Sequence, residues 1–406
     1  MIDPRRLPWA MVGLPLLLWA VHHRLGHDGD IGFFHEWYLA FREGGAFYRD
    51  GPGVNYPFVG VLIVCAPSTL VELALGQPLD LPTFRVVHKA TLVVGDIGFV
   101  FAAAALARTM RVPHPRRLAL WLYLCPSSWA VGAWFGQIDL VVVAFLLAAA
   151  AHLVRFSREG RGLGWGLAFL HLALLSKQLA WFALPAFGLL VLFGLRRWGG
   201  ARRWAAVLLS PLVWLAPDPL LTLPAGQVSH LAWVVTRSVG HVDYVVGSGA
   251  SVWSLFVQGG VAVTEVRLLG LDARAWSWIA WLVSQGAFAA IHLRRPSPRR
   301  LLRFAGFALL AMATLLTGVH ERYIAQSIPL LLLVEAGPRW RRALGWATGV
   351  VSGLYVLGTI LGDAFDPARS WLLRPEPVVL LALAWLVALL AVPLDFELHT
   401  RHTRRP

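Results

Sequence analysis

Residues 138–154 read IDLVVVAFLLAAAAHLV, and this stretch decides the class of fold. Apart from a charged residue at its second position and a histidine near its end, the stretch is entirely apolar. An α-helix needs roughly 17 to 25 such residues to cross the hydrocarbon core of a bilayer. Comparable runs recur along the chain, so the sequence predicts a polytopic membrane protein built from transmembrane helices.

The composition of the whole chain agrees with this class. Its 406 residues are 57% hydrophobic and only 14% charged, and the mean hydropathy is +0.63, which excludes an ordinary soluble globular domain. We predict an all-α bundle of about 12 to 14 membrane helices that forms a single domain over 1–406. Spans are expected at 7–21, 57–75, 86–107, 118–134, 138–154, 164–175, 179–195, 204–221, 252–269, 275–293, 304–317, 324–334, 343–361 and 378–393.

The net charge of +14 points to lipid rather than to nucleic acid, because the arginines gather in short clusters between the apolar runs. That pattern is typical of cytoplasmic loops, which contact anionic lipid headgroups. The remaining polar loops are then expected on the opposite face: 22–57, 136–139, the corner at 177, 217–251, 320–323 and 362–377. The number of crossings between clusters is odd in two places. Runs 57–75, with Pro57 and Pro67, and 252–269, with Gly259-Gly260, are therefore the candidates for a re-entrant or broken helix.

The loop at 22–57 is unusually rich in ionisable and aromatic residues, and reads HHRLGHDGDIGFFHEWYLAFREGGAFYRDGPGVNYP. Asp28 and Asp30 precede aromatic residues at helical spacing, namely Phe34, Trp37, Tyr38 and Phe41. This spacing predicts an amphipathic helix over 31–41 that lies flat at the membrane surface. The acidic pair at its start suggests chemistry at the membrane edge. The alternative is that Asp30 simply caps the helix.

Other ionisable groups interrupt apolar runs, where a charge costs roughly 2.5–3.5 kcal/mol and is a functional candidate by default. Asp139 follows Gln137 at a break in the apolar pattern, where a helix cap and a binding role explain it equally well. Lys177 lies at a similar break, where it could extend to the interface or hold an anion. Asp96 fits a buried structural carboxylate better than a site.

The segment His320-Glu321-Arg322-Tyr323 places four polar side chains at a helix junction. Arginine suits phosphate because its planar guanidinium donates two parallel hydrogen bonds. The alternative is a local ion pair between Glu321 and Arg322 at the level of the headgroups. Motifs for a phosphate-binding loop, a zinc protease and a serine hydrolase are absent from the sequence, its histidines are scattered, and its two cysteines lie in apolar runs. No metal or other cofactor is therefore expected.

Taken together, these motifs resemble those of a GT-C glycosyltransferase. More narrowly, they resemble the integral-membrane mannosyltransferases related to the enzyme that adds the second mannose of glycosylphosphatidylinositol anchors. The matching features are, in chain order, Asp30, Trp37, Tyr48, Tyr56-Pro57, Gly136-Gln137-Ile138-Asp139, Lys177-Gln178 and His320-Glu321-Arg322-Tyr323. Family members often carry Tyr-Pro-Pro and Lys-Pro where this chain has Tyr56-Pro57-Phe58 and Lys177-Gln178, so the subfamily and its sugar stay open.

The resemblance implies a polyprenyl- or dolichyl-phosphate sugar donor, an acceptor on the outer face, and inversion at the sugar carbon. The acceptor is a glycan, a lipid or a protein. Asp30, with Asp28 as runner-up, would take the proton of the attacking hydroxyl. The other candidate residues fall into two groups. Arg322, Lys177, His320 and Tyr323 would bind the donor phosphate, while Gln137, Asp139, Glu321, Tyr56 and Trp37 would bind the sugar or the acceptor.

Two other functions compete with a transferase: a transporter or flippase of lipid-linked glycans, and a non-catalytic assembly subunit. A transporter is expected to show paired halves or a charged path that reaches both faces. Because the unusual residues are predicted on one face, an enzyme is favoured. The composition suggests a bacterial inner membrane with the site on the periplasmic face, and the endoplasmic reticulum membrane is the alternative.

Overall fold

A computed structural model describes residues 7–44, 47–50, 53–221, 229–240, 244–246, 249–257, 261–335, 338–360 and 374–391. The chain divides into two compact units: a first unit of residues 1–124, 128–181 and 194–241, and a second unit of residues 125–127, 182–193 and 242–406. The expected single domain over 1–406 stays a prediction. Most of the predicted outer loop 362–377 lies outside the described residues.

The described secondary structure is helical except for a two-residue β-ladder and an isolated β-bridge between Tyr244 and Ala262. The helices are α1 (Leu7–His22), α2 (Asp28–Glu43), α3 (Phe47–Asp50), α4 (Phe58–Leu75), α5 (Leu81–Thr109), α6 (Pro115–Leu124), α7 (Pro126–Trp129), α8 (Asp139–Glu159), α9 (Leu163–Ser176), α10 (Leu184–Trp198), α11 (Ala201–Leu209), α12 (Asp218–Leu221), α13 (His230–Gly240), α14 (Ala273–His292), α15 (Pro298–Leu315), α16 (Ser327–Val334), α17 (Arg339–Ile360) and α18 (Pro375–Ala391). Strands β1 (Arg267–Leu268) and β2 (Leu271–Asp272) pair antiparallel. The predicted all-α class is confirmed.

Four described helical segments are long and apolar enough to cross a membrane: α4, α5, α8 and the segment Gln178–Trp198. A fifth is added if Pro115–Leu124 and Pro126–Phe135, which meet at a bend of 63°, count as one span. Shorter apolar helices follow at Leu7–His22, Leu163–Ser176, Tyr323–Val334 and Pro375–Ala391. These segments confirm a polytopic helical bundle.

Three predicted spans differ from the structure. The run 118–134 is broken because Pro126 cannot donate a helical hydrogen bond, and a π-helical turn, Ala130–Phe135, follows it. The run 204–221 breaks up after α11 into a 3₁₀ turn, Ser210–Trp214, and the short α12. The described residues of run 252–269 form a 3₁₀ turn, an isolated β-bridge at Ala262 and β1 rather than a long helix, as its glycine pair suggested. The other suspected break is wrong, because α4 continues through Pro67.

In the first unit, α5 and α8 pack against each other and against the helices that surround them, including α1, α6 and α9. A small residue allows this close packing, because a Cβ at Gly95 of α5 would overlap the side chain of Val141 in α8. Asp96, deep in α5, accepts a 2.9 Å hydrogen bond from the hydroxyl of Tyr123. The structural interpretation of Asp96 is therefore confirmed.

Helix α2 turns its aromatic face towards α4 and α5, and Phe34, Trp37 and Tyr38 are buried there. Glu72, near the end of α4, anchors it by accepting hydrogen bonds from the hydroxyl of Tyr38 at 2.6 Å and from Nε of Arg42 at 2.8 Å. Burial and the bond to Glu72 raise the pKa of the Tyr38 phenol. The predicted helix is present, but its aromatic face contacts protein, because a carboxylate on α4 is placed to hold it.

In the second unit, α15 packs against α14, α16 and α18, while α17 packs against α16 and α18. Arg303 and Arg341 are fully buried on either side of Glu335, whose carboxylate oxygens lie 3.9 Å from Nε of Arg303 and 3.6 Å from Nη2 of Arg341. This group joins the start of α15, the end of α16 and the start of α17 at one end of the unit.

Candidate active site

Asp30 lies in the first turn of α2 and is not its cap. The helix begins at Asp28, and the N-cap residue is His27, whose Nδ1 accepts a 3.2 Å hydrogen bond from the backbone N–H of Asp30. The capping interpretation of Asp30 is therefore wrong, because another side chain takes that place. The Asp30 carboxylate lies 3.7 Å from Nδ1 of His27, and 28% of the Asp30 side chain is exposed.

The corner at Gly136 brings Gln137 to Asp30. Gly136 ends the π-helical turn with φ +93°, a left-handed conformation that favours glycine. Beyond it, Nε2 of Gln137 donates to Oδ2 of Asp30 at 2.7 Å. The hydroxyl of Tyr56 donates to Oε1 of Gln137 at 2.9 Å. One amide thus links the carboxylate of α2 to the tyrosine that precedes α4.

Lys177 closes the same network from the end of α9. Its Nζ donates to Oδ2 of Asp139 at 2.7 Å and to Oε1 of Gln137 at 3.4 Å, and it lies 5.0 Å from the centre of the Tyr56 ring. The side chains of Lys177 and Asp139 are each 2% exposed. Lys177 is therefore enclosed by protein groups rather than extended to solvent. Asp139 is not the N-cap of α8, since that residue is Ile138.

A close helix contact sets the position of Lys177. At Gly60, α4 approaches the end of α9 so closely that a Cβ there would overlap the carbonyl oxygen of Ser176. Only glycine fits without a backbone shift at this point. Lys177, the next residue, is thereby held against Gln137 and Asp139.

The aromatic candidates of the loop 22–57 surround Tyr56. Trp37 is fully buried and meets the Tyr56 ring edge-on at 5.1 Å between ring centres. The hydroxyl of Tyr48 donates to the backbone oxygen of Tyr56 at 3.2 Å, and burial raises the pKa of Tyr48 well above its ordinary value. Tyr56 is therefore fixed from two sides.

Asp28, the runner-up, lies apart from this network. Its Oδ1 accepts a 2.5 Å hydrogen bond from Nη2 of Arg85, and its side chain is 81% exposed. Two acidic residues separated by one glycine thus have different partners: Asp28 bonds the half-buried Arg85, and Asp30 bonds the buried amide of Gln137.

A buried Asp–His pair next to Tyr48 was not predicted from the sequence. Oδ1 of Asp218 accepts from the backbone N–H of His230 at 2.9 Å and from its ring Nδ1 at 2.6 Å. The His230 ring lies 5.5 Å from that of Tyr48. Burial raises the pKa of Asp218, but the two bonds from His230, the bond from Ser229 and the attraction of the His230 ring together outweigh it and hold the pKa below its ordinary value.

In the second unit, the candidate phosphate-binding segment is compact. Nη1 of Arg322 donates to Oε1 of Glu321 at 2.6 Å, and both side chains are buried. The predicted local ion pair is therefore present. The rings of His320 and Tyr323 lie 5.2 Å apart and are half-buried. Their shared face with Asp30 stays a prediction.

The candidate residues of the first unit differ in exposure. Gln137, Asp139, Lys177 and Tyr56 are buried, so the member of the network that meets solvent is Asp30. Among the described residues, no group of three or more His, Cys, Asp or Glu side chains is arranged to hold a metal ion. The arrangement is one partly exposed carboxylate at the end of a buried hydrogen-bond network.

Comparison with known proteins gives a structural similarity. No protein-family model matches the chain, and no curated protein matches it. Among solved structures, the chain is similar to the crystal structure of ArnT from Cupriavidus metallidurans bound to undecaprenyl phosphate. The two are 16% identical with a TM-score of 0.47, over 96% of this chain and 77% of that one. A similarity of this size assigns neither an activity nor a site to this chain.

Proposed function

We propose that this protein is a GT-C glycosyltransferase. It moves a sugar, proposed to be mannose, from a polyprenyl-phosphate donor to an acceptor hydroxyl on the outer face of the membrane. The observation that carries the proposal is the partial exposure of Asp30 beside buried hydrogen-bond partners. Its side chain is 28% exposed and stands at the end of a network whose other members are buried. A base must reach its substrate, and its geometry must be fixed beforehand.

The reaction needs one base and one good leaving group. The oxygen of the acceptor hydroxyl attacks the anomeric carbon of the sugar, and the bond from that carbon to the phosphate oxygen breaks. Asp30 takes the hydroxyl proton, while the bonding electrons leave with the polyprenyl phosphate. That phosphate is a stable anion, so a general acid is not required. Attack opposite the leaving group inverts the anomeric carbon.

Two contacts support Asp30 as the base. The amide of Gln137 donates to Oδ2 at 2.7 Å, and the N-cap His27 accepts the backbone N–H of Asp30, so both the carboxylate and its backbone are held. Asp28 has a different partner, the guanidinium of Arg85 at 2.5 Å. Gln137 and Asp139 are proposed to hold sugar or acceptor hydroxyls. Tyr56 and Trp37 are proposed to form the wall next to the sugar ring.

The donor phosphate is proposed to bind through Arg322, with His320 and Tyr323 beside it, and through Lys177. A buried guanidinium attracts an anion more strongly than an exposed one, because the local dielectric is low. Glu321 already accepts from Arg322 at 2.6 Å, so the phosphate would compete with or extend that ion pair. Glu321 is then placed to bind a hydroxyl of the sugar or the acceptor.

The test is to incubate the purified chain with undecaprenyl-phosphate mannose, glucose and arabinose, and to measure the release of undecaprenyl phosphate. Asp30→Asn should lower turnover by about 10²–10⁴-fold, the usual contribution of a general base, while donor binding stays measurable. Asp28→Asn is the matched control and should keep most of the activity. The base assignment fails if the two variants exchange these results.

A flippase of lipid-linked glycans makes the opposite prediction. It would carry the intact donor from one leaflet of a vesicle to the other and release no polyprenyl phosphate. Translocation without cleavage, unaffected by Asp30→Asn, would overturn the transferase proposal. The same vesicles, loaded with acceptor on one side, also test on which face transfer takes place.

A further inference from the structure

The sequence contains only two lysines, Lys89 and Lys177, among its 36 lysine and arginine residues. Both are buried in the first unit. Lys177 contacts Gln137 and Asp139 on the far side of the corner that begins at Gly136. Lys89, in α5, contacts the backbone that leads into the corner.

Lys89 directs its ammonium at three carbonyl oxygens. Its Nζ donates to the oxygen of His22 at the end of α1, and to those of Ala133 and Trp134 in the π-helical turn, each at 2.9 Å. A lysine ammonium is a compact group with three donors, which matches three converging acceptors, whereas the planar guanidinium of arginine does not. This explains lysine here in a chain that otherwise uses arginine.

The next two carbonyls are bound as well. The oxygen of Phe135 accepts from the backbone N–H of His27 at 3.2 Å. The oxygen of Gly136 lies 2.9 Å from Nε2 of His88, which must donate because a carbonyl only accepts. Four consecutive carbonyls, 133 to 136, therefore each accept a hydrogen bond from outside the turn.

We propose that Lys89 is a positioning residue for the transfer reaction, and that it acts by fixing the turn that presents Gln137 to Asp30. The inference rests on the proposed function. It goes beyond it because Lys89 touches neither Asp30 nor the residues proposed to bind substrate. The turn ends in a left-handed glycine, and a π-helical turn is an uncommon conformation, so the backbone needs outside partners to hold it. His27 also links the turn to Asp30, since its backbone N–H donates to the oxygen of Phe135 and its ring accepts a hydrogen bond from the backbone N–H of Asp30.

The decisive experiment is a double-mutant cycle between Lys89→Met and Gln137→Ala, assayed with undecaprenyl-phosphate mannose. Lys89→Met keeps the volume of the side chain but leaves three carbonyls without their donor. We expect kcat to fall by about ten- to a hundredfold, as for a small displacement of a catalytic group, with the KM for the donor changed much less. In the Gln137→Ala background, Lys89→Met should add less than about a twofold loss, because the group it positions is gone.

Thr91→Val is the matched control, since it removes a polar group on the same helix whose hydroxyl bonds only within that helix, to the oxygen of Val87 at 3.1 Å. The proposal would be overturned if the losses in kcat of the two single variants multiply in the double variant. It would also be overturned if Lys89→Met raises the KM for the donor by the same factor as it lowers kcat. Hydrogen exchange adds a readout that needs no activity: Lys89→Met should speed exchange within 130–139, and unchanged exchange there would also overturn it. If Lys89→Met does not fold, Lys89→Arg serves in the same cycle. Loss of all transfer in the parent chain, with exchange altered as expected, would instead refute the proposed function alone.

Discussion

The buried ion pair between Lys177 and Asp139 gives a quantitative test of the network. Asp139→Asn keeps the shape of the side chain but leaves the Lys177 ammonium, 2% exposed, without its carboxylate at 2.7 Å. Removing one partner of such a pair costs about 3–5 kcal/mol. Among the contacts that remain, the bond to Gln137 at 3.4 Å contributes only about 0.5–1.5 kcal/mol, which is less than that loss. We therefore expect Asp139→Asn to lower the free energy of unfolding by about 3 kcal/mol or more.

The double variant Lys177→Met with Asp139→Leu separates stability from function. Replacing both charges with apolar groups of similar volume is often neutral, so its unfolding in mixed detergent micelles, followed by tryptophan fluorescence, should resemble that of the parent. Its transfer activity should still be impaired, because the ammonium beside Gln137 and Tyr56 is gone. The matched control is Glu159→Gln in the same helix, whose partner Arg155 is half-exposed and whose loss should cost less than about 1 kcal/mol. A stable Asp139→Asn, or a double variant as unstable as the single one, would refute this reasoning.

Three further outcomes are expected. Arg322→Ala should weaken binding of undecaprenyl-phosphate mannose more than Arg322→Lys does, in a fluorescence titration, and equal binding by parent and variants would make Arg322 only a structural ion pair. Gly60→Ala should lower turnover, because its Cβ would displace Ser176, whereas Gly13→Ala, which has open space around it, should not. The pKa of Asp218 is lowered by folding, so its bonds from His230 contribute stability above the unfolded pKa of about 3.9 that is lost as the pH falls through the lower folded value. The melting temperature should therefore fall less between pH 7 and pH 3 in Asp218→Asn than in the parent chain, and an equal fall in both would contradict this.

The helical class follows from the sequence because apolar length is a local property. Run 57–75 predicted α4 almost to the residue, and run 138–154 predicted the start of α8, which continues to Glu159. The run 118–134 failed because a hydropathy pattern does not register the missing N–H of Pro126, which breaks the span. The run 252–269 failed because its apolar content exceeds its helical propensity. Its glycine pair was the local signal of that.

The candidate site was predicted in part. Asp30, Gln137, Asp139 and Lys177 were singled out as polar groups beside apolar runs, and the first unit brings them together. Their partners could not be predicted, since Tyr56 and Gln137 are 81 positions apart in the chain. The direction of the aromatic face of α2 was not predictable either, because it depends on Glu72 of another helix.

Lys89 was not singled out from the sequence, although the rule that a charge within an apolar span is a functional candidate applies to it. It lies inside the predicted span 86–107, where an ammonium is costly and therefore a candidate by default. The sequence gives no sign that carbonyl oxygens are its partners, because those oxygens become available only once the π-helical turn ends at Gly136.

The charges of the first unit support the proposal that Asp30 is the group that meets substrate. Lys177 and Asp139 are bonded to each other at 2.7 Å, so each offsets part of the desolvation cost of burying the other. Within the network, Asp30 is bonded to the neutral amide of Gln137, and the Asp30 charge keeps contact with solvent. Exposure of this carboxylate is what the proposed base requires, because a base must reach the hydroxyl whose proton it takes.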